Sequence, residues 1–217
     1  MKYRTIYADP PWFERGGGGR GANVHYPLMK TKEIIAMAPM VQDLAEGNAH
    51  LYLWTTNNFL RDALEVMDAW GFRYVTMITW MKDRIGLGQY FRGLTEHCLF
   101  GIRGKLPYKD IDGKRQQGKT GFFEEKREHS RKPAQMREMI EKVSYPPFIE
   151  LFARERFDGW DAWGGMRYAL ERGKKTKERR EDLMSSTVWF FVGVLTGSLV
   201  ATAAILLTFE WFLRRKR

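Results

Sequence analysis

Asp9-Pro10-Pro11-Trp12 stands directly after a short apolar run, Tyr3–Ala8. An amine conjugated into an aromatic ring, such as N6 of adenine, is a poor nucleophile. A carboxylate accepting one of its N–H bonds, with a backbone carbonyl accepting the other, draws the nitrogen toward tetrahedral geometry and frees the lone pair for attack. Asp9 supplies a carboxylate and Pro10 a carbonyl. Pro10 and Pro11 stiffen the turn, so both acceptors are placed before a substrate arrives. Trp12 offers a flat face on which a base can stack. The plainer reading is a Pro-Pro turn with a buried tryptophan, and four residues alone do not separate the two.

These residues need a strand beneath them, since open α/β sheets bind ligands at the carboxyl ends of their strands. Strand-like and helix-like patterns alternate from Tyr3 to about Trp163. Strands are expected at Tyr3–Ala8, Ala49–Trp54, Arg73–Met81, Thr95–Ile102 and Phe148–Ala153, the last of the series. Thr31–Ala45 reads as a helix that Pro39 must kink or divide. Asn58 can cap a helix through Trp70, with Leu60, Ala63, Leu64 and Met67 on one face and Gly71 as its stop. Pro133–Val143 reads as a helix with proline in its first turn. Lys105–His129 is charged and aperiodic and reads as a long loop. The alternation predicts an α/β fold with a parallel or mostly parallel sheet and helices on both faces.

A chain of 217 residues, 44% hydrophobic with 8 Trp, can bury a core and is not read as disordered. The net charge of +10 favours a polyanionic partner, nucleic acid or an anionic membrane. In the long loop and its neighbours, Lys114, Arg115, Lys119, Arg127 and Arg131 are candidate phosphate contacts, the alternative being a merely solvated loop. Gly113–Thr120 matches a P-loop pattern, but it lacks the preceding apolar strand and following helix. Gly16–Gly19 reads as a loop that closes over a target base. His25, His50, His97 and His129 show no metal-ligand spacing, so no metal is expected. Cys98 is the single cysteine, which fits a reducing, cytoplasmic setting, and Met1–Arg4 opens no signal-peptide pattern.

Further stretches accompany Asp9–Trp12 in order: Leu51-Tyr52-Leu53-Trp54-Thr55-Thr56, Trp70-Gly71-Phe72, Trp80-Met81-Lys82, Thr95-Glu96-His97, Glu128-His129-Ser130-Arg131-Lys132-Pro133, Glu150-Leu151-Phe152-Ala153-Arg154 and Gly159-Trp160-Asp161-Ala162-Trp163-Gly164. With them the chain resembles the N6-adenine methyltransferase family typified by the catalytic subunit of the messenger-RNA adenosine methyltransferase, the MT-A70 family, in its smaller bacterial and phage form. The resemblance implies a Rossmann-like methyltransferase fold with permuted motif order and S-adenosylmethionine as methyl donor. It implies that Lys132 helps hold that cofactor, that Glu150 and Arg154 lie around its ribose and carboxylate, that Asp9 lies beside its methionine part, and that Gly164 belongs to the same site. The family usually has Gly-Asn where this chain has Gly164-Gly165, which removes a side-chain donor. Transfer would be a direct in-line displacement at the sulfonium methyl, on a base flipped from a duplex or taken from a single strand. DNA is the expected substrate, with RNA open. A homo-oligomer also stays open. The rival reading is a catalytically silent nucleic-acid-binding scaffold of the same fold; such relatives usually lose the acidic residue, and Asp9 is intact.

The tail differs in kind. Thr187–Phe209 has no charged residue, and as a helix it would span about 34 Å, enough for a bilayer core. Trp189 and Trp211 sit near its ends and Arg214–Arg217 close the chain. The expected organisation is a catalytic domain over 1–168, a charged linker over 169–186 and a membrane helix over 187–213, with the catalytic domain cytoplasmic and anchored. A buried core helix is the alternative for the tail.

Overall fold

The computed structural model describes residues 1–13, 28–86, 90–125 and 131–164. The glycine run Gly16–Gly19, Arg127, His129, Gly165 and the whole tail lie outside them. Nine strands and four helices follow one another: β1 (Tyr3–Ala8), α1 (Thr31–Ile35), α2 (Ala38–Leu44), β2 (Ala45–Thr55), α3 (Leu60–Ala69), β3 (Arg73–Met81), β4 (Thr95–Arg103), β5 (Asp110–Ile111), β6 (Lys114–Arg115), β7 (Gly121–Phe123), α4 (Ala134–Val143), β8 (Phe148–Leu151) and β9 (Trp160–Trp163).

Seven strands form one sheet in the order β7-β3-β4-β2-β1-β8-β9. β1 pairs in parallel with β2 and β8, β8 with β9, and β3 with β7, while β4 is antiparallel to both its neighbours. The sheet is therefore mostly parallel with one reversed strand. The carboxyl ends of β1, β2, β3, β7, β8 and β9 share an edge with the amino end of β4. The chain leaves β1 toward β2 on one side and returns later to β8 on the other, so β1 is the switch point where such sheets hold ligands.

Alternation along the strands divides the core. Ile6, Ala8, Leu51, Leu53, Leu99, Ile149 and Leu151 face α1, α2 and α3, joining Ile34, Val41, Ala63, Val66, Met67 and Trp70. Tyr7, Tyr52, Trp54, Cys98 and Trp80 face α4 through Met136 and Ile140. Both faces are covered, as the sequence pattern predicts.

Local chemistry sets the element ends. Pro39 sits in the first turn of α2 and divides the expected helix into α1 and α2. Gly71 ends α3 with φ of 83°. Its N–H donates to Asp68 O at 2.9 Å and that of Phe72 to Met67 O at 3.0 Å, a Schellman motif.

Several expectations are corrected. Asn58 is not the cap of α3: a 3-10 turn, Asn57–Phe59, precedes it and Phe59 holds the cap position. Leu60 stays partly exposed, and Val66 joins Ala63 and Met67 on the buried face. Phe148 opens a strand that stops at Leu151, and β9 follows it as the last. The long loop contains β5, β6 and β7. Its P-loop-like segment begins in the turn of a β5–β6 hairpin, where Asp112 and Gly113 have φ of 53° and 74°, the left-handed pair that a tight hairpin turn requires. Among the described residues no helix is long and apolar enough to cross a membrane. The expected tail helix lies outside those residues.

Candidate active site

Asp9 is the first residue beyond β1, at the switch point. Its backbone is held by the turn that follows. Trp12 N–H donates to Pro10 O at 3.0 Å, Met29 N–H to Pro11 O at 2.7 Å and Phe13 N–H to Met29 O at 2.9 Å. The Pro10 carbonyl thus spends one lone pair inside the turn and keeps a second.

Four charged side chains from four segments meet at this edge. Lys132 Nζ lies 2.8 Å from Asp9 Oδ1 and 3.1 Å from Glu96 Oε2. Lys82 Nζ takes the other oxygen of Glu96 at 3.0 Å. The result is an alternating chain, Asp9–Lys132–Glu96–Lys82. Burial works against the Glu96 carboxylate, but the charges of Lys132 and Lys82 outweigh it and hold its pKa down at about 2. Burial likewise works against the Lys132 ammonium, and Asp9 and Glu96 overcome it, so the lysine pKa is raised and the side chain stays protonated. Lys132 also lies 5.2 Å from the centre of the Trp54 ring.

The elements that position Lys132 are identifiable. Pro133 stands at the cap of α4, and both oxygens of Glu124, just beyond β7, accept N–H bonds from Ala134 and Gln135 at 3.1 Å. A carboxylate there satisfies first-turn donors and complements the helix dipole. It fixes the start of α4 next to Lys132.

Arg154 reaches the site by a bend. Phe152 follows β8 with φ of 63°, a left-handed conformation costly for a bulky residue. Its ring is buried and meets Trp163 edge-on at 6.0 Å between centroids. The bend directs Arg154 back over β1, where its guanidinium lies 3.8 Å from Asp9 Oδ2. Gly164 ends β9 at φ of 100°, beside the backbone of Phe152.

The structure thus brings Asp9, Pro10, Lys132, Arg154 and Gly164 to one edge. Glu150 stands one residue short of the end of β8, opposite Tyr7 of β1 and close enough to Asp9 for their charges to interact. It lies within β8 on the α4 face, with Arg137 NH2 at 2.5 Å from its Oε2. Burial pushes its carboxyl pKa up while Arg137 pulls it down. It is a neutralised carboxylate beneath the edge.

Trp12 is packed into the turn. Its Nε1 donates to Trp54 O at 3.0 Å, its ring stacks on Phe59 at 5.5 Å, and only 9% of the residue is exposed. It braces the turn, with Pro11.

The candidate phosphate contacts separate. Arg131 sits beside Lys132 and pairs with Glu155 at 3.0 Å. Lys114 and Arg115 lie on the hairpin, which is tied to the opposite edge: Lys109 N–H donates to Val143 O at 2.8 Å, and Asp110 N–H to the Tyr145 hydroxyl at 3.2 Å. The reason is β4, whose nine residues carry the chain roughly 27 Å away from the site. Lys119 is exposed just before β7, partway back. Arg127 lies outside the described residues.

Lys82, Glu96 and His97 received no role from the sequence. The signal was present in Trp80-Met81-Lys82 and Thr95-Glu96-His97, which the β3–β4 register sets opposite each other. His97 Nδ1 lies 3.0 Å from the Thr79 hydroxyl and its Nε2 2.5 Å from Asn57 Oδ1. Burial lowers its pKa more than Glu96 raises it, which keeps the ring neutral. The Thr56 hydroxyl, at the end of β2, is buried with no partner among the described residues. Among those residues no cluster of His, Cys, Asp or Glu has the arrangement of a metal site.

The donor set suits a zwitterion. Asp9 presents Oδ2 to an ammonium, Lys132 and Arg154 present cations to a carboxylate, and the Thr56 hydroxyl, at the end of the neighbouring strand, has no partner among the described residues. These residues fit the methionine end of S-adenosylmethionine.

Comparison with known proteins agrees with this geometry. Residues 3–166 match the family model described as MT-A70. The type II methyltransferase M.MunI of Mycoplasma sp. is 31% identical over 186 residues, covering 75% of this chain and 77% of that protein. A putative N(6)-adenosine-methyltransferase MT-A70-like protein of Medicago truncatula is 30% identical over 75% of the chain, and the human N(6)-adenosine-methyltransferase catalytic subunit METTL3 is 29% identical over 70%. The chain spans only 26% of each of those two longer proteins.

Proposed function

We propose that this chain, which belongs to the MT-A70 family, transfers a methyl group from S-adenosylmethionine to the N6 amino group of adenine in nucleic acid, with DNA preferred over RNA. The observation that carries the reading is the Asp9–Lys132 pair at the carboxyl end of β1, with Arg154 facing the second Asp9 oxygen. The DNA preference rests on M.MunI, which the chain matches over 77% of its length. The N(6)-adenosine-methyltransferases are matched over about a quarter of theirs.

The donor, when bound, supplies a methyl carbon on a positively charged sulfur. The chain's residues do the rest. Lys132 and Arg154 hold a carboxylate, and Asp9 holds an ammonium through Oδ2. An ionised carboxylate has about four lone-pair sites, so Asp9 keeps capacity to accept one adenine N6–H while bound to Lys132. The second lone pair of Pro10 O accepts the other. Held by two acceptors, N6 would have its lone pair free for the methyl group that the bound donor would supply, and Asp9 would pass the surplus N6 proton to water. Lys132, bonded to Asp9 Oδ1 at 2.8 Å, holds the carboxylate in place for that role. Glu96, gripped by both lysines, fixes Lys132, and Lys82 balances the charge.

The reading extends to the domain plan, on sequence alone: a catalytic domain over 1–168, a linker over 169–186 and a membrane anchor over 187–213. The test is to express the chain in cells lacking adenine methylation, digest their DNA and RNA separately to nucleosides, and look for N6-methyladenine by mass spectrometry. Its presence in DNA supports the reading; its absence from both pools defeats it.

A further inference from the structure

Between β3 and β4 the chain extends past the edge that carries Asp9. Its stem is tied: Lys82 N–H donates to Leu94 O at 3.0 Å, Gly86 N–H to Gly93 O at 2.7 Å, and Arg92 Nε to Gly86 O at 2.9 Å. Beyond those bonds stand two adjacent aromatic residues, Tyr90 and Phe91, 93% and 92% exposed. Phe91 has no polar atom to favour water, so full exposure of this pair calls for a partner.

The surroundings specify its chemistry. Arg92 is the next residue, and among the described residues its bond through Nε leaves both terminal nitrogens of the guanidinium for another acceptor. Arg84, on the other side of the stem, is also a surface cation, its side chain 79% exposed and 3.0 Å from Asp83. Aromatic faces beside guanidinium groups match a nucleic-acid strand, in which bases stack and phosphates pair with arginine. The stem grows from the ends of β3 and β4, where Lys82 and Glu96 stand, so what stacks at its tip lies next to the site.

We propose that Tyr90 and Phe91 form a stacking platform for a nucleotide flanking the target base, with Arg84 and Arg92 taking its phosphates. This rests on the nucleic-acid reading of the Asp9 site and names how that site engages its strand.

The test measures binding of the full chain to a fluorescein-labelled, adenine-containing oligonucleotide by anisotropy. The variants are Tyr90→Ala with Phe91→Ala, and Tyr90→Phe. The double variant should bind roughly tenfold to hundredfold more weakly, with S-adenosylmethionine affinity and melting temperature unchanged. Tyr90→Phe should bind like the parent, since stacking needs only the ring. Fluorescence of 2-aminopurine beside the adenine should be quenched by the parent and not by the double variant. Equal affinity and equal quenching in parent and double variant overturn the platform. So does a self-associated parent that the double variant dissociates with oligonucleotide affinity intact, because the tip is then a contact between copies. Tip-dependent binding without N6-methyladenine formation upholds the platform and defeats the proposed reaction. Equal oligonucleotide affinity of parent and double variant, with N6-methyladenine formed by both, does the reverse. A parent that binds neither DNA nor RNA defeats both.

Discussion

The Lys132 ammonium bonds Asp9 Oδ1 at 2.8 Å and so ties the turn after the first strand to the start of the last helix. Replacing Lys132 with methionine leaves Asp9 and Glu96 without their shared cation. Breaking a buried pair on one side costs about 3 kcal/mol, and this one is slightly open, so a loss of roughly 2 kcal/mol is expected. S-adenosylmethionine affinity should fall about tenfold, because a carboxylate-binding cation is gone. Chemical denaturation and calorimetric titration measure the two effects. Unchanged cofactor affinity would show that Lys132 only supports the fold.

Glu96 makes stability depend on pH. Its pKa is about 2 in the folded chain against an ordinary value of 4.5. Between those values the unfolded state binds more protons, so stability rises with pH; the contribution is complete above about 4.5 and is lost as pH falls toward 2. At most roughly 3 kcal/mol is involved. Urea denaturation across that window should show the decline, and Glu96→Gln should flatten it. A parallel decline in the variant would assign the effect to other carboxylates.

Trp12 separates bracing from base recognition. Trp12→Phe keeps the stack on Phe59 and loses the indole N–H bond to Trp54 O, so stability should drop by about 1 kcal/mol with the Michaelis constant for nucleic acid unchanged. A raised constant at full stability would restore Trp12 as a base platform.

The sequence made the frame of this site visible for physical reasons. Strand alternation around Leu51 and Tyr52 shows in residue type, Pro39 cannot lie inside a helix, and Gly71 accepts the conformation that ends α3. The site was harder. Lys82 and Glu96 meet because of strand register, which a linear pattern does not contain. Lys114 and Arg115 share a basic stretch of sequence with Arg131, but β4 carries them away from the site. Trp12 has the same identity as a brace or as a platform, and only the packing of Phe59 decides. β5, β6 and β9 are too short to show a period.

The tail makes its own prediction. If Thr187–Phe209 spans a bilayer, the full chain sediments with membranes and resists extraction by high salt. A chain ending near Asp182 should be soluble and active. Release of the full chain by salt would leave an interfacial or core helix.

The central claim is that Asp9 presents adenine N6 for methylation. The most direct measurement is transfer of an isotopically labelled methyl group from S-adenosylmethionine to an adenine-containing duplex, with the product nucleoside identified by mass spectrometry for the parent chain and for Asp9→Asn. Asparagine keeps the shape and removes the charge. The account predicts labelled N6-methyladenine from the parent and a rate lower by about a hundredfold or more in the variant, with its fold retained. Equal rates, or label on any position other than N6, would contradict it.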